Sequence, residues 1–407
     1  MNQIERLLQT LAPKGVEFRK LGEVINILKG KQLNKELLLD YGEYPVMNGG
    51  IHASGYWNEY NTDCPKIIIS QGGASAGYVN YMTSKFWAGA HCYTIELNSE
   101  KLNYKFLYYF LKNSQTILMK SQFGAGIPAL NKADIENLTI PIPPLEIQQE
   151  IVKILDAFTE LNTELNTELK ARKKQYQYYQ NMLLDFNDIN QNHKDAKMSA
   201  KTYPKRLKTL LHTLAPKGVE FRKLGEVLEY DQPNKYCVTS KEFDKSYPTP
   251  VLTAGKTFIL GYTNEKDNIY QASKNAPVII FDDFTTATQW VDFPFKVKSS
   301  AMKILFSKNP TINIRFIFFY MQTIPYNIGG EHARHWISRY SQLEVPIPPL
   351  EIQQEIVKIL DAFTELNTEL NTELNTELKA RKKQYEYYRE KLLTFKPLTP
   401  HKEVKKC

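Results

Sequence analysis

Two groups of side chains in this sequence are of the kinds that can read nucleic acid. The first is Asn48, His52, Tyr56, Trp57, Gln71, Ser75, Tyr78, Asn80 and Lys85. The second is Lys256, Tyr262, Thr285, Thr286, Thr288, Gln289, Trp290, His332, Arg334 and His335. Asn and Gln can pair bidentately with adenine and Arg or Lys with guanine, while a Thr methyl can meet the thymine methyl. Each residue alone would also suit a turn or a core position. Their weight is collective, because many fall in segments of loop-like composition. His332 and His335 are three apart with no third ligand in view, so phosphate or base contact is expected there rather than a metal.

Motifs for catalysis are missing from the chain. No glycine-rich loop ends in Gly-Lys-Ser/Thr, so an ATP-driven motor is excluded. The glycines of Gln71–Gly77, and those at 124 and 126, do not follow the dinucleotide pattern and read as turns. No Asn/Asp-Pro-Pro-aromatic tetrad, the mark of an amino-methyltransferase pocket, is present. Asp282-Asp283 resembles a metal-binding carboxylate pair, but no acidic-x-Lys follows at nuclease-like spacing, and a strand-end turn is the expected role.

The elements that must carry these residues come from a sequence written twice. Residues 7–24 recur at 210–227 with one difference, Gln9 against His212. Residues 141–169 recur unchanged at 346–374, after which the second copy adds Asn375-Thr376-Glu377-Leu378. Both copies resume at Lys170–Tyr176 and Lys379–Tyr385. Between them lie inserts 25–140 and 228–345, which share little beyond Gly55-Tyr56-Trp57-Asn58-Glu59 beside Gly261-Tyr262-Thr263-Asn264-Glu265. Drift after a duplication would erode frames and inserts together. Recombination that swaps inserts through common frames explains the contrast better.

Each frame ends in a long helix. Pro143-Pro144 suits a helix start, and neither Pro nor Gly interrupts residues 145–185. Ile151, Leu155, Phe158, Leu161, Leu165, Leu169, Tyr176 and Leu183 recur every three to four residues as a buried stripe requires. Leu366, Leu370, Leu374 and Leu378 continue the pattern in the second copy. Both helices are acidic in the first half and basic beyond it, so antiparallel pairing sets Glu against Lys and Arg. The four-residue TEL units read as a spacer that changes length in whole helical steps.

The inserts read as mixed α/β, with strands at Lys66–Ser70, Cys92–Leu97, Pro277–Phe281 and Ala301–Phe306 and helices at Leu102–Lys120 and Ile312–Gln322. The expected organisation is therefore α+β: repeated frame segments 1–24 and 207–227, globular α/β inserts 25–140 and 228–345, and spacer helices 141–185 and 346–395. A polar linker at 186–206 and a basic tail at 396–407 complete it. Of the net charge of +8, six units sit in that linker and tail, so charge alone does not make the chain a DNA binder. No apolar run approaches the roughly 18 residues of a membrane span. The start of the chain lacks an apolar signal core, and Cys64, Cys92, Cys237 and Cys407 form no close pair, so zinc and disulfide scaffolds are not expected and a reducing cytoplasm is.

With these frames the chain resembles the specificity subunit of a type I restriction–modification system. The resemblance rests on LAPKGVEFRKLGEV, PIPPLEIQQEIVKILDAFTEL and the tandem tetrapeptides, and within the inserts on ISQGGASAGYV, FWAGAHCYTI and PVIIFDDFTTATQWVDFPF. It implies two target-recognition domains on two long antiparallel helices, each reading half of a split site in double-stranded DNA. It also implies docking of two methyltransferase subunits and of restriction-motor subunits, with S-adenosylmethionine, ATP and Mg on those partners and no cofactor or catalytic residue in this chain. One departure is internal: the two spacer helices differ by one TEL unit. The alternatives are an enzyme that joins recognition to its own methyl transfer or cleavage, and a coiled-coil scaffold for proteins only.

Overall fold

The computed structural model describes residues 2–124, 126, 128–186, 203–253, 257–307, 309–325 and 334–398. They form two units, Met1–Thr167 with Leu374–Cys407 and Glu168–Glu373. Both boundaries fall inside the TEL tracts, so each long helix begins in one unit and ends in the other. The helices span Leu145–Leu184 and Leu350–Leu392, 40 and 43 residues. They run antiparallel. In the first unit Phe158 stacks on Tyr388 at 5.6 Å, and in the second Tyr179 stacks on Phe363 at 5.4 Å. Arg172 and Arg381 pair with Glu168 and Glu377 one turn back on their own helices.

In the first unit the strands are β1 (Glu17–Lys20), β2 (Ile25–Lys29), β3 (Tyr44–Met47), β4 (Tyr56–Trp57), β5 (Lys66–Ser70), β6 (Val79–Met82), β7 (Trp87–Ala88), β8 (Cys92–Leu97) and β9 (Thr139–Ile142). They make a four-stranded sheet β2-β8-β5-β6, a three-stranded sheet β4-β3-β7 and the frame pair β1-β9. Continuous burial of Ile67, Ile68 and Ile69 explains why β5 is an unbroken apolar run. The core packs Ile67, Ile69, Ile95, Phe106 and Leu107 against Ile147, Ile151 and Leu155 of the first long helix, Leu392 at the end of the second and Leu393 just after it. Each such residue contributes about 1.5–3 kcal/mol on burial. Val16 and Leu398 close this unit: the Val16 N–H donates to Lys396 O and the Leu398 N–H to Val16 O, both at 2.9 Å. Gly15 (φ +107°) permits the approach, since a Cβ there would lie 2.6 Å from the Pro397 oxygen.

The second unit repeats the plan. Its strands are β10 (Glu220–Lys223), β11 (Glu229–Asp231), β12 (Thr249–Leu252), β13 (Ile259–Thr263), β14 (Val278–Asp282), β15 (Thr288–Val291), β16 (Lys296–Val297), β17 (Met302–Phe306) and β18 (Glu344–Ile347). The sheet orders β11-β17-β14-β15, β13-β12-β16 and β10-β18 copy those of the first unit. Register makes the correspondence residue by residue. Ile67 faces Ile95 and Tyr81 where Ile279 faces Leu305 and Trp290. Tyr56 faces Pro45 where Tyr262 faces Pro250, so the short echo between the inserts marks one and the same strand.

Two expectations change. Leu102–Lys120 is not one helix: Asn103 caps Tyr104–Asn113, and a second helix, Gln115–Lys120, starts after Ser114. The leucine stripe is not buried throughout. Leu378 is buried and Leu165, Leu169, Leu370 and Leu374 are half-buried, but Leu161 and Leu366 are exposed. Each four-residue step overshoots a full turn by about 40°, so the leucines drift off a straight seam.

Candidate nucleic-acid interface

Each recognition domain is held by a clamp that the frame supplies. Gln148 is fully buried on the first long helix. Its Nε2 donates to Pro143 O (2.6 Å) and Lys101 O (2.8 Å), and its Oε1 accepts from the Asn103 N–H (2.7 Å). Gln353 repeats all three bonds, to Pro348 O (2.7 Å), Thr311 O (3.1 Å) and the Asn313 N–H (2.8 Å). Asn103 and Asn313 in turn cap the helices Tyr104–Asn113 and Ile314–Met321 with their side-chain oxygens. Two residues on, Lys105 pairs with Asp156 at 2.7 Å and Arg315 with Asp361 at 2.7 Å. The inserts look unrelated as sequences, yet both offer a capping Asn followed by a cation to a buried Gln and an Asp of the frame. The buried Gln was legible in principle, since position 148 shares a helical face with Ile151 and Leu155.

The turn after β5 carries the first group of candidates. The Gln71 N–H donates to His91 O (2.9 Å), Gln71 O accepts from the Leu130 N–H (2.8 Å), and its Oε1 lies 3.2 Å from His91 Nδ1. The turn closes at Gly77 (φ +86°), whose N–H donates to Ser70 O at 2.8 Å. Beside it Lys112, which the sequence reading missed, donates to Val79 O (2.7 Å) and Gln115 Oε1 (2.8 Å) and lies 4.0 Å from the Tyr78 ring centre. Burial, with Arg389 adding repulsion, lowers the Lys112 pKa to about 8.

The turn after β14 is built differently. Asp282 is buried at the strand end; its Oδ1 accepts from the Phe284 and Thr285 N–H groups (2.9 and 3.2 Å) and its Oδ2 from Thr285 Oγ1 (2.6 Å). Thr286 takes φ +58° and donates its N–H to Asp282 O at 2.8 Å, the bond that Gly77 makes in the first unit. Asp283 is 1% exposed; its Oδ1 accepts from the His335 and Trp336 N–H groups at 3.1 and 2.9 Å, and its Oδ2 lies 3.6 Å from the buried Lys303 ammonium. Lys303 also donates to Gln232 Oε1. The acidic pair is thus a strand-end turn, as its spacing implies.

The remaining candidates divide by exposure. His52, Tyr56, Lys85, Thr285, Gln289 and Arg334 are exposed. Lys85 is engaged locally, donating to Tyr60 Oη (2.7 Å) and pairing with Asp63 (3.3 Å). Trp57, Gln71, Ser75, Tyr78, Tyr262 and Thr288 are half-buried. So are Asn48, whose Oδ1 accepts from the His91 N–H (3.0 Å), and Asn80, whose Oδ1 accepts from the Tyr81 N–H (3.0 Å). Two expectations need correction: His335 is fully buried and cannot meet phosphate or base as it stands, and Thr286, 7% exposed, serves the turn. Trp290, half-buried on β15, lies 5.7 Å from the Phe318 ring and under the Arg315 guanidinium at 4.5 Å. Lys256 and His332 lie outside the described residues. Gln289 opens on a cleft of about 510 Å³ lined also by Lys173, Arg315, Gln322 and Asn367. Among the described residues no cluster of three or more His, Cys, Asp or Glu could hold a metal, and no helix is long and apolar enough to cross a membrane.

One domain present twice is also what comparison with known proteins finds. Residues 13–175 and 216–380 both match the family described as type I restriction modification DNA specificity domain. The chain belongs to that family. A type I restriction enzyme specificity subunit of Escherichia coli (EcoR124I/EcoR124II) is 56% identical over 188 residues, 44% of this chain and 45% of that protein. A putative specificity subunit of Haemophilus influenzae is 30% identical over 96% of this chain and 98% of its own length. The fold is that of the M. genitalium type I S subunit, with a TM-score of 0.59 at 20% identity over 93% of this chain and 96% of that one. The two matched stretches each run from a frame segment through a recognition domain into a long helix, so the family match falls on both repeats of this specificity subunit.

Proposed function

We propose that this chain is the non-catalytic, cytoplasmic specificity subunit of a type I complex, in which each recognition domain reads one half of a bipartite site in double-stranded DNA. The observation that carries the reading is the pairing of one clamp and one sheet order with two different strand-end turns. Such a design holds position constant while sequence preference varies. His52, Tyr56, Thr285, Gln289 and Arg334, all exposed, are the residues we assign to base or phosphate contact. The long helices fix the spacer and dock two methyltransferase subunits, and restriction-motor subunits join that assembly. S-adenosylmethionine, ATP and Mg belong to the partners.

The test is methylome sequencing of cells that express the complex. Exchanging residues 228–345 for another family insert is expected to change one half of the methylated motif only; a change in both halves would refute modular reading. Deleting Asn162–Leu165 removes about 6 Å and about 40° of helix. One base pair spans about 3.4 Å and turns about 34–36°. The spacer is therefore expected to lose one base pair while both half-sites persist, and an unchanged spacer would show that the TEL steps are not the ruler.

A further inference from the structure

In the first unit, the turn after β5 is tied to the segment before the frame by neutral groups. Gln71 accepts from the Leu130 N–H, Leu130 is fully buried, and Tyr93 donates its hydroxyl to Leu130 O at 3.3 Å. Strand register sets Lys303 in the place of Tyr93 and Asp283 in that of Gln71, and the His335 N–H donates to Asp283 O at 2.9 Å as the Leu130 N–H does to Gln71 O. A neutral, largely apolar contact has become a buried ion pair beside a buried imidazole. That exchange is costly, because each charge leaves water and the polar ring must be satisfied. Among the described residues neither His335 ring nitrogen has a hydrogen-bond partner. Buried polar groups kept at such a cost concentrate where function overrides stability.

The geometry shows what the cluster governs. Asp282 shapes the turn that carries Thr285 and leads into Thr288 and Gln289. Asp283, the next residue, grips the backbone of His335 and Trp336, and Trp336 is wedged against Phe281 of β14 at 5.2 Å. Arg334 is the exposed residue immediately before that grip. Two separate reading segments, the turn and Arg334, are therefore referenced to two adjacent carboxylates, Asp282 and Asp283, and Lys303 on β17 anchors the Asp283 carboxylate to the sheet.

We propose that Asp283 is a positioning residue for DNA reading: without touching a base, it sets Arg334 against Thr285–Gln289, so that the second half-site is read as one surface. This rests on the half-site reading above. The test compares Asp283→Asn with Asp283→Ala, each combined with Lys303→Met so that no buried charge is left alone. Asn keeps a side-chain acceptor for both N–H groups, whereas Ala leaves the His335 N–H only the main-chain oxygen of residue 283, at 2.9 Å, and leaves the Trp336 N–H without its acceptor. Full-length chains are co-expressed with methyltransferase subunits, and the methylated motif is sequenced alongside thermal unfolding of the purified chains. The Asn form is expected to keep the second half-site. The Ala form is expected to lose at least tenfold in discrimination at one or more of its positions, with the first half-site unchanged. Should the Ala form fail to unfold cooperatively, Asp283→Thr in the same background replaces it, with the same loss expected from a hydroxyl too short to hold both N–H groups. Wild-type discrimination in the folded Ala or Thr form, or equal loss in the Asn form, would overturn the proposal. An insert exchange run in parallel separates the two ideas. If exchanging 228–345 leaves the second half-site intact, the half-site reading itself fails; if exchange changes it and the Ala form does not, only the positioning role falls.

Discussion

Matched strand for strand, the two recognition domains differ most where β5 and β14 end. In the first, the turn runs through Gly72, Gly73 and Gly77 and holds its neighbours with backbone bonds and neutral side chains. In the second, a turn three residues shorter runs through Asp282, Asp283 and Thr286 and holds its neighbours with carboxylates. Both turns close on a residue in the left-handed region, Gly77 and Thr286, with the same hydrogen bond behind it. Away from the turn, the clamps at Gln148 and Gln353 are alike bond for bond. The lesson is a division of labour. The frame holds each domain with few, fully satisfied hydrogen bonds, and this leaves the turn free to change length and charge without moving the sheet.

The clamp gives the largest effect. Gln148→Leu leaves the Asn103 N–H and two carbonyls without their partner, which costs about 1–3 kcal/mol for each buried group left unpaired. Gln353→Leu does the same in the second unit. Thermal unfolding is expected to drop for both, and each variant should impair methylation directed by its own half-site. If one substitution were harmless and the other severe, the two clamps would not be equivalent.

The left-handed turn positions sharpen the contrast. At Gly77 a Cβ would lie 2.7 Å from the Leu118 backbone, so Gly77→Ala adds a clash to the roughly 1–2 kcal/mol that left-handed backbone costs a side chain. Thr286 already bears that strain, and Thr286→Gly is expected to be neutral or stabilising by about 1 kcal/mol. Denaturant midpoints of the two variants check this. Equal destabilisation would mean that Thr286 contributes contacts that outweigh its strain.

The smallest effect is on pH dependence. The echoed segments end in the same letter, Glu59 and Glu265, two residues past their strands, yet Glu59 is exposed and Glu265 is engaged. Burial alone would raise the Glu265 pKa, but N–H donors of Ser240 and Thr239, the Thr239 hydroxyl and the Lys296 ammonium at 2.9 Å outweigh it and hold the pKa at about 2. A depressed carboxylate stabilises the fold fully above its unfolded pKa of 4.5, and that contribution is lost as pH falls toward 2. Between pH 5 and 2, Glu265→Gln is expected to flatten the fall in stability by roughly 1–2 kcal/mol, less than the full shift because the group is partly solvated. Calorimetry of the wild type and of Glu265→Gln across that range checks this.

Several features were legible in the residues alone. The two long helices follow from an apolar period with no Pro or Gly to break it, and strands such as Lys66–Ser70 and Cys92–Leu97 from short apolar runs bounded by turn residues. The repeated frames made the two-part plan visible without any structure. These are local or repetitive signals, and short-range sterics and hydrophobic spacing suffice to set them. The kinship of the two inserts was not legible, because a shared sheet order constrains burial and register rather than particular letters. Nor were the fates of single polar residues. His335 reads as a surface contact and is fully buried, and the Asp283 carboxylate bonds to backbone more than 50 residues away. Gln148 and Gln149 are adjacent and identical, yet one is sealed in a clamp and the other faces solvent. Whether a polar side chain is a reader, a cap or a buried tie depends on which distant backbone groups need a partner once the sheets have closed, and only the tertiary structure brings those groups together.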